Sequence, residues 1–381
     1  MKKDRRTLAG AYATTSLGVS SVSLLAPVLP ELAARYGVEA ESMAVFQMAV
    51  MLPGIVTALL MGRLGARGHL RGALAVSLLV FGVAGASLAL VESFPAAVLL
   101  RVVQGAGGGG LVAASFMLIG TVAEPRRLRA VGHNAAIVST MMVLQPLLGA
   151  GLGALSAAAP FGFYGLAIVA AVLVPRTVPA AARVASPVRV GRSGPPREVR
   201  AALVMTVVLN VLVFGWLLLL TPLILDDAGV DLGWRGWALA AQSAIATVAT
   251  FATARWRNRR RFDALLVGGW AAAASLLAVA AAGPAALTAV VLVLAGVFYG
   301  VLNPTLVARI SPVDGGRWLG WWQSAARLGQ VLGPLLAGAL YGALTPGPVL
   351  LVGAAAAGTA LLAVRRPRPP EGGVALEHRT L

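Results

Sequence analysis

Arg101 sits in Leu100-Arg101-Val102-Val103-Gln104-Gly105, a little over one turn inside an apolar stretch. An arginine within a membrane-depth helix costs about 3 kcal/mol by insertion scales, so it needs a partner, water or a ligand. It can tune a proton carrier or hold a substrate; snorkelling to the outer interface is the plain alternative. Amides are set into other apolar stretches at Gln47, Gln104, Asn134, Gln145, Asn210, Gln242, Asn303, Gln323 and Gln330, with a second cation at Arg327. Gln47, Gln104, Asn210, Asn303, Gln323 and Arg327 form the candidate lining of a polar cleft, while simple helix-to-helix hydrogen bonding is the rival for any one amide. No Asp or Glu lies in the middle of an apolar stretch. A titrating acid must therefore come from the edges, and Glu31 is the first choice because Arg101 lies toward the same end. Asp226, Asp227 and Glu124 follow, and a solvated surface acid is the rival reading of Glu31. The chain has no cysteine, and His69, His133 and His378 form no metal-spaced cluster, so neither a metal nor a cofactor is expected. The glycine run at 105–110 lacks the strand-loop-helix setting and the lysine of a phosphate cradle. No Ser-His or paired-acid constellation is present, and an enzyme is not expected.

Twelve apolar stretches position these groups, at roughly 8–30, 43–62, 72–91, 96–119, 133–156, 160–175, 201–224, 236–254, 263–282, 286–308, 319–342 and 347–364. Each suits a membrane-spanning helix of about 20 residues, because lipid leaves no water for open backbone groups. The composition, 58% hydrophobic and 12% charged, excludes an ordinary soluble domain, which carries about 25% charged residues. Arginines fall in alternate gaps: Arg5 and Arg6, then Arg63, Arg67 and Arg71, then Arg126, Arg127 and Arg129, then Arg176 to Arg200, then Arg255 to Arg261, then Arg309 and Arg317, and finally Arg365, Arg366 and Arg368. The other gaps carry acids, with Arg35 and Arg235 as their only basic residues. This alternation places both termini in the cytoplasm. A net charge of +17 would ordinarily suggest nucleic acid; spread as a topological alternation, it fits anionic lipid headgroups on the cytoplasmic side instead. The first stretch imitates a secretory signal, but it is long enough to span and reads as a retained helix. The Ala-Gly-Arg bias suggests a bacterial gene, hence a multi-pass protein of the bacterial plasma membrane.

The segment 176–200 mixes arginine, proline and glycine and has too little apolar surface to fold. It reads as a cytoplasmic linker between six-helix halves at 1–175 and 201–381. A shift of 188 positions superposes Arg129 on Arg317, Gly132 on Gly320, Pro146 on Pro334 and Arg67 on Arg255, the mark of a duplicated unit. Stretches 3, 6, 9 and 12 carry no amide or charge in their interiors and suit a lipid-facing position. The other eight would surround a central cleft, lined by Met48, Phe214, Trp216, Phe298, Tyr299 and Trp322 where those faces point inward. The glycines at 105–110 are expected to strip one side of the fourth helix, and Pro146 and Pro334 to kink the fifth and eleventh.

Leu100-Arg101-Val102-Val103-Gln104-Gly105-Ala106-Gly107 resembles the fourth-helix motif of the major facilitator superfamily, whose arginine is associated with proton coupling. Gly132, Pro146 and Gly149 fit the fifth-helix motif of drug:proton antiporters, with Met141, Gln145 and Ala150 where that motif prefers glycine. Gly329, Gly333 and Pro334 repeat it in the eleventh stretch. Gly62-Arg63-Leu64-Gly65-Ala66-Arg67-Gly68 resembles the loop between helices 2 and 3, with Ala66 in place of the usual Asp and the spacing one residue short. Pro27-Val28-Leu29-Pro30 is similar to the end of the first helix in the drug-efflux branch. The resemblance spans the whole chain. It implies an all-α membrane protein of twelve helices in two pseudo-symmetric bundles, monomeric, exporting a small lipophilic drug or metabolite by alternating access in exchange for protons. A facilitator, exchanger or importer of a small organic anion, without proton coupling, is the alternative.

Overall fold

The computed structural model describes residues 2–122, 126–178, 194–255, 259–310 and 318–365. Glu124, Arg317, most of the 176–200 segment and the tail with Arg366, Arg368 and His378 lie outside the described residues. Twelve helical spans follow one another, and no strand occurs among the described residues. We number them α1 (Asp4–Tyr36), α2 (Ala40–Ala66), α3 (Leu70–Leu90), α4 (Phe94–Gly120), α5 (Arg129–Gly153), α6 (Ala159–Thr177) and α7 (Arg197–Asp227). There follow α8 (Leu232–Ala254), α9 (Asp263–Ala282), α10 (Ala286–Ile310), α11 (Leu319–Ala343) and α12 (Pro346–Val364). Ten are apolar enough by composition to cross a membrane. The other two, α8 and α11, are just as long, at 23 and 25 residues, but more polar.

The helices associate as two six-helix bundles with matching internal contacts. In the first, α4 packs on α2 and α3, α3 on α6, and α1 on α5; in the second, α10 packs on α8 and α9, α9 on α12, and α7 on α11. Arg67 and Arg255, paired by the 188-residue shift, each cap the C-terminus of their helix, α2 and α8. The bundles meet through α5 against α8, α2 against α11, and the ends of α1 and α7. Helices α3, α6, α9 and α12 pack chiefly within their own bundle and present Val76, Val169, Val279 and Leu362 outward, as the absence of interior polar groups suggested.

Four helices are interrupted, and they are every third one. At Pro27, α1 breaks into a short 3-10 turn, Ala26–Val28. Between helical pieces ending at Gly108 and starting at Leu111, α4 breaks, and α10 pauses at Ala295. In α7 a π-helical turn runs over Leu212–Leu217. By contrast, helix continues through Pro146 and Pro334. The glycines of α4 do not share one side: Gly105 and Gly109 lie against α2, at Val50 and Gly54, while Gly107 and Gly108 lie against Phe81 of α3. The reason is that α4 is wedged between both neighbours and must let each approach.

Gly149 of α5 is the tightest of these approaches. A Cβ there would stand 1.8 Å from the Leu24 carbonyl oxygen of α1, whereas one at Gly132 would meet nothing within 4 Å. Alanine is normally the better helix former by about 1 kcal/mol, so Gly132→Ala should leave the melting temperature of the purified protein unchanged or slightly higher. Gly149→Ala should lower it, since overpacking costs about 1–3 kcal/mol. Thermal unfolding in detergent, followed by size-exclusion chromatography, measures both.

Candidate functional site

Arg101 is 1% exposed, buried where α1, α2 and α4 meet. Its Nη2 donates to the Ser21 carbonyl (2.8 Å), Nη1 to Gln104 Oε1 (2.8 Å) and Nε to the Phe46 carbonyl (3.4 Å). The guanidinium carbon lies 4.7 Å from the Phe46 ring centroid, a cation–π distance. The break in α1 lies only a few residues beyond Ser21. Arg101 therefore does not snorkel; it is held by backbone carbonyls of two other helices and by an amide one turn along its own. Gln104 completes this nest and does not line an open cleft, and its Nε2 has no hydrogen-bond partner. Gln47, beside Phe46, is equally buried, and neither end of its side-chain amide has a partner.

The hydroxyl-rich part of α1 is largely satisfied on its own helix: Thr14, Ser16, Ser20 and Ser21 each donate to a carbonyl three or four residues back. Two positions reach across to α5. Thr15 donates to Asn134 Oδ1 (2.7 Å), and the Ser23 hydroxyl donates to Gln145 Oε1 while Gln145 Nε2 donates to the Ser16 carbonyl (3.0 Å). In the second bundle a looser polar chain joins α11 to α7. Arg327 Nη1 donates to Gln330 Oε1 (3.3 Å), Gln330 Nε2 to Asn210 Oδ1 (3.4 Å), and Asn210 Nδ2 to the Thr206 carbonyl (2.9 Å). Asn210 and Arg327 are thus brought together through Gln330. Asn303 is half-buried on α10, and Gln323 is exposed near the start of α11.

Between the bundles lies an apolar plug of Val22 and Ala26 from α1, Val50 and Met51 from α2, Leu218 from α7, Leu239 from α8 and Val331 from α11. Met48 and Phe214 pack against it, in keeping with an inward orientation. Trp216 and Phe298 do not join them: the Trp216 Nε1 donates to the Val349 carbonyl of α12 (2.8 Å), and Phe298 is fully buried inside its bundle. An indole N–H buried in hydrocarbon must find an acceptor, and here it finds one outward, on α12. Gln242 likewise ties α8 to the Leu292 carbonyl at 2.7 Å.

Beyond the plug, at the face opposite the N-terminus, the bundles are joined by charge. Arg235 at the start of α8 is 3% exposed. It pairs with Glu31 of α1, in the other bundle, and with Asp226 at the end of α7 (2.8 Å). Glu31 is therefore the acid that links the halves. On the same face Gly236 stands against Ala150, and Gly338 against Ala44, each across the bundle boundary. At the N-terminal face Asp4 pairs with Arg126 (2.9 Å) and Asp263 with Arg309, each pair inside one bundle.

A family model described as Major Facilitator Superfamily matches residues 9–308 and 203–380. The chain belongs to this family. Its members are transporters and not enzymes, and they bind small-molecule substrates, often with protons. Among curated proteins none matches the sequence. Solved structures share the facilitator fold at low identity. The D-xylose-proton symporter has a TM-score of 0.73 at 13% identity, covering 95% of this chain and 97% of its own. A bacterial homologue of the human lysosomal transporter Spinster, in an inward-facing and occupied conformation, has a TM-score of 0.72 at 14% identity, covering 96% and 94%. The human organic anion transporter MFSD10 (TETRAN) has a TM-score of 0.68 at 16% identity, covering 95% and 99%.

The facilitator motif positions separate by packing. Gly105 and Gly149 press on carbonyls of α2 and α1, and Gly329 and Gly333 on carbonyls of α7. Gly62 and Gly132 press on nothing closer than 3.6 Å, so no close helix approach requires them. Arg67 is exposed at the end of α2. Gln330 and Arg235 were missed as site residues. Gln330 was visible as an amide one turn from Arg327, and Arg235 as a rare base on an acidic side.

The Glu31–Arg235 link makes a direct prediction, and the lack of native cysteine gives a clean background for thiol labelling. A reporter at Ala26→Cys, buried in the plug, should react slowly with a membrane-impermeant maleimide. Adding Arg235→Ala should raise the rate about tenfold, the equivalent of ~1.4 kcal/mol toward the open state. An unchanged rate would mean that the ion cluster does not hold this face shut.

Proposed function

We propose that this facilitator exports a small, lipophilic compound from the cytoplasm by alternating access, coupled to proton influx. It acts as a monomer in a bacterial plasma membrane, with both termini cytoplasmic. The observation that carries the reading is the Glu31–Arg235–Asp226 cluster above an apolar plug. Glu31 is a protonatable group at the end of the pathway where external protons arrive. Protonating it removes one of the two negative charges holding Arg235 and leaves the link between the bundles without its cross-bundle ion pair. The outer face can then part; when it closes, Arg235 returns to Glu31 and the displaced proton leaves inward, toward the cytoplasm, which is the influx that drives export. Arg101 serves this cycle from beneath. It fixes α1 to α2 and α4 just below the break at Pro27, so the end of α1 that carries Glu31 moves with the bundle.

The apolar plug and Met48 and Phe214 beside it favour a substrate with a greasy body. The amide of Gln47, unpaired at both ends, and the Arg327–Gln330–Asn210 chain supply orienting groups. A second reading rests on Arg327, whose guanidinium donates to Gln330 and has no carboxylate within ion-pair distance among the described residues. A small organic anion would answer it, and the protein would then be a facilitator, exchanger or importer without proton coupling.

Inverted membrane vesicles with an imposed pH gradient and a fluorescent pH probe separate the two. A panel of lipophilic cations, antibiotics and organic anions is added in turn to wild type, Glu31→Gln and Arg101→Ala. Export in exchange for protons requires that some compound collapse the gradient in wild type and that Glu31→Gln reduce this at least tenfold. If no compound does so while radiolabelled anions still equilibrate, the anion reading replaces it, and Arg327→Gln should then abolish that equilibration.

A further inference from the structure

A sizeable cavity lies away from the cleft, within the first bundle. It is a groove of about 740 Å³ between α2 and α3, in the half nearer the N-terminal face. That is within the range of about 300–1,000 Å³ typical of small-molecule sites. The groove exists because α2 and α3 each pack on α4 more than on one another. Leu60 and Leu64 of α2 form one wall, Val76 and Val80 of α3 the other, and Gly107 of α4 the floor. Leu60 is 49% and Val76 62% exposed, so the groove opens sideways, toward the surroundings that α3 faces.

Its chemistry changes along its length. The deep part is apolar, while the mouth at the end of α2 is formed by His69 and Arg71. Arg63 and Arg67 lie on the same turn and are exposed. No acidic residue occurs between Glu41 and Glu92, and none of these three arginines pairs with a carboxylate among the described residues. The position in this loop where the family resemblance expects an acid is Ala66. Arg71 thus lines the open end of an apolar slot in the hydrocarbon wall, with Arg63 and Arg67 exposed at the adjoining end of α2 and no carboxylate on any of the three among the described residues.

We propose that this groove is a binding site for one anionic phospholipid of the leaflet at the N-terminal face. The headgroup phosphate is held by Arg71, Arg67 and His69, and an acyl chain lies between α2 and α3. Charge complementarity selects the headgroup, and the apolar walls select a lipid over a free phosphate. By filling the slot the lipid wedges α2, one of the helices between the bundles, against α4. The site stands independently of the export reading, because its test measures lipid retention and not transport.

The test is native mass spectrometry of delipidated protein titrated with phosphatidylglycerol, with phosphatidylcholine of the same acyl chains, and with glycerol 3-phosphate. Thermal unfolding is read on the same samples. The expected result is one phosphatidylglycerol retained with a rise in melting temperature, neither of which phosphatidylcholine or glycerol 3-phosphate reproduces. Removing each charge, as Arg67→Gln and Arg71→Gln, should weaken retention roughly fivefold, the effect of about 1 kcal/mol per basic residue. Gly72→Leu keeps every charge and fills the groove, and a Cβ there meets nothing within 4 Å, so the variant should fold. It too should lose the lipid. Equal retention of phosphatidylcholine, equal stabilisation by glycerol 3-phosphate, or undiminished retention in Gly72→Leu would each overturn the proposal.

Discussion

Nothing apolar drives two helices together in a bilayer, because lipid tails are as apolar as leucine. Adhesion must come from close backbone contact, and in this chain four glycine seams supply it. Gly149 of α5 lies against the Leu24 carbonyl of α1, and Gly333 of α11 against the Val211 carbonyl of α7. Gly105 of α4 lies against the Val50 carbonyl of α2, and Gly300 of α10 against the Ala246 carbonyl of α8. The first two seams are equivalent under the pseudo-symmetry, and so are the second two. Each removes a side chain where one would collide, and each fixes a pair of helices within a bundle. Each bundle is thus fastened from within by backbone contacts, which is what movement as a unit requires.

The same solvent constraint sorts the helices in threes. A helix facing lipid can carry no unpaired polar group, which is why α3, α6, α9 and α12 could be picked out from composition alone. Helices next to the boundary between bundles tolerate amides and hydroxyls, and α8 and α11 are polar enough to fall short of an ordinary spanning hydropathy. The interrupted helices α1, α4, α7 and α10 complete the pattern. Broken backbone at membrane depth must be covered by protein or line a cavity, so these breaks belong on the inside.

What sequence could not disclose follows from the same uniformity. In a helix apolar on nearly every face, phase is not encoded in the pattern of residues. Trp216 and Phe298 accordingly looked like cleft aromatics, although one fastens α7 to α12 and the other fills a bundle core. Gln104 looked like a cleft amide for the same reason, although it closes the nest around Arg101. The link between Glu31 and Arg235 had no local signal at all, since 204 positions separate the partners. Its trace was one arginine on a side of the membrane otherwise given to acids. Proline does not mark the interruptions: Pro146 and Pro334 stand inside helices that continue through them, while the π-helical turn of α7 contains none.

The two faces of the molecule are held by different electrostatics. At the face opposite the termini, one buried arginine bridges acids from both bundles, so a single charge group must be broken before the halves part. At the N-terminal face the basic loops of both halves carry the same sign. Asp4 and Asp263 are engaged with Arg126 and Arg309 of their own bundles. Ala66 removes the carboxylate that the second loop of this family ordinarily offers. Like charges approaching through a medium less polar than water repel more strongly than in bulk solvent, and here no acid in that loop opposes them. Approach of these basic loops must overcome that repulsion, and a bound substrate drawing the plug helices together or anionic lipid screening the arginines would lower it.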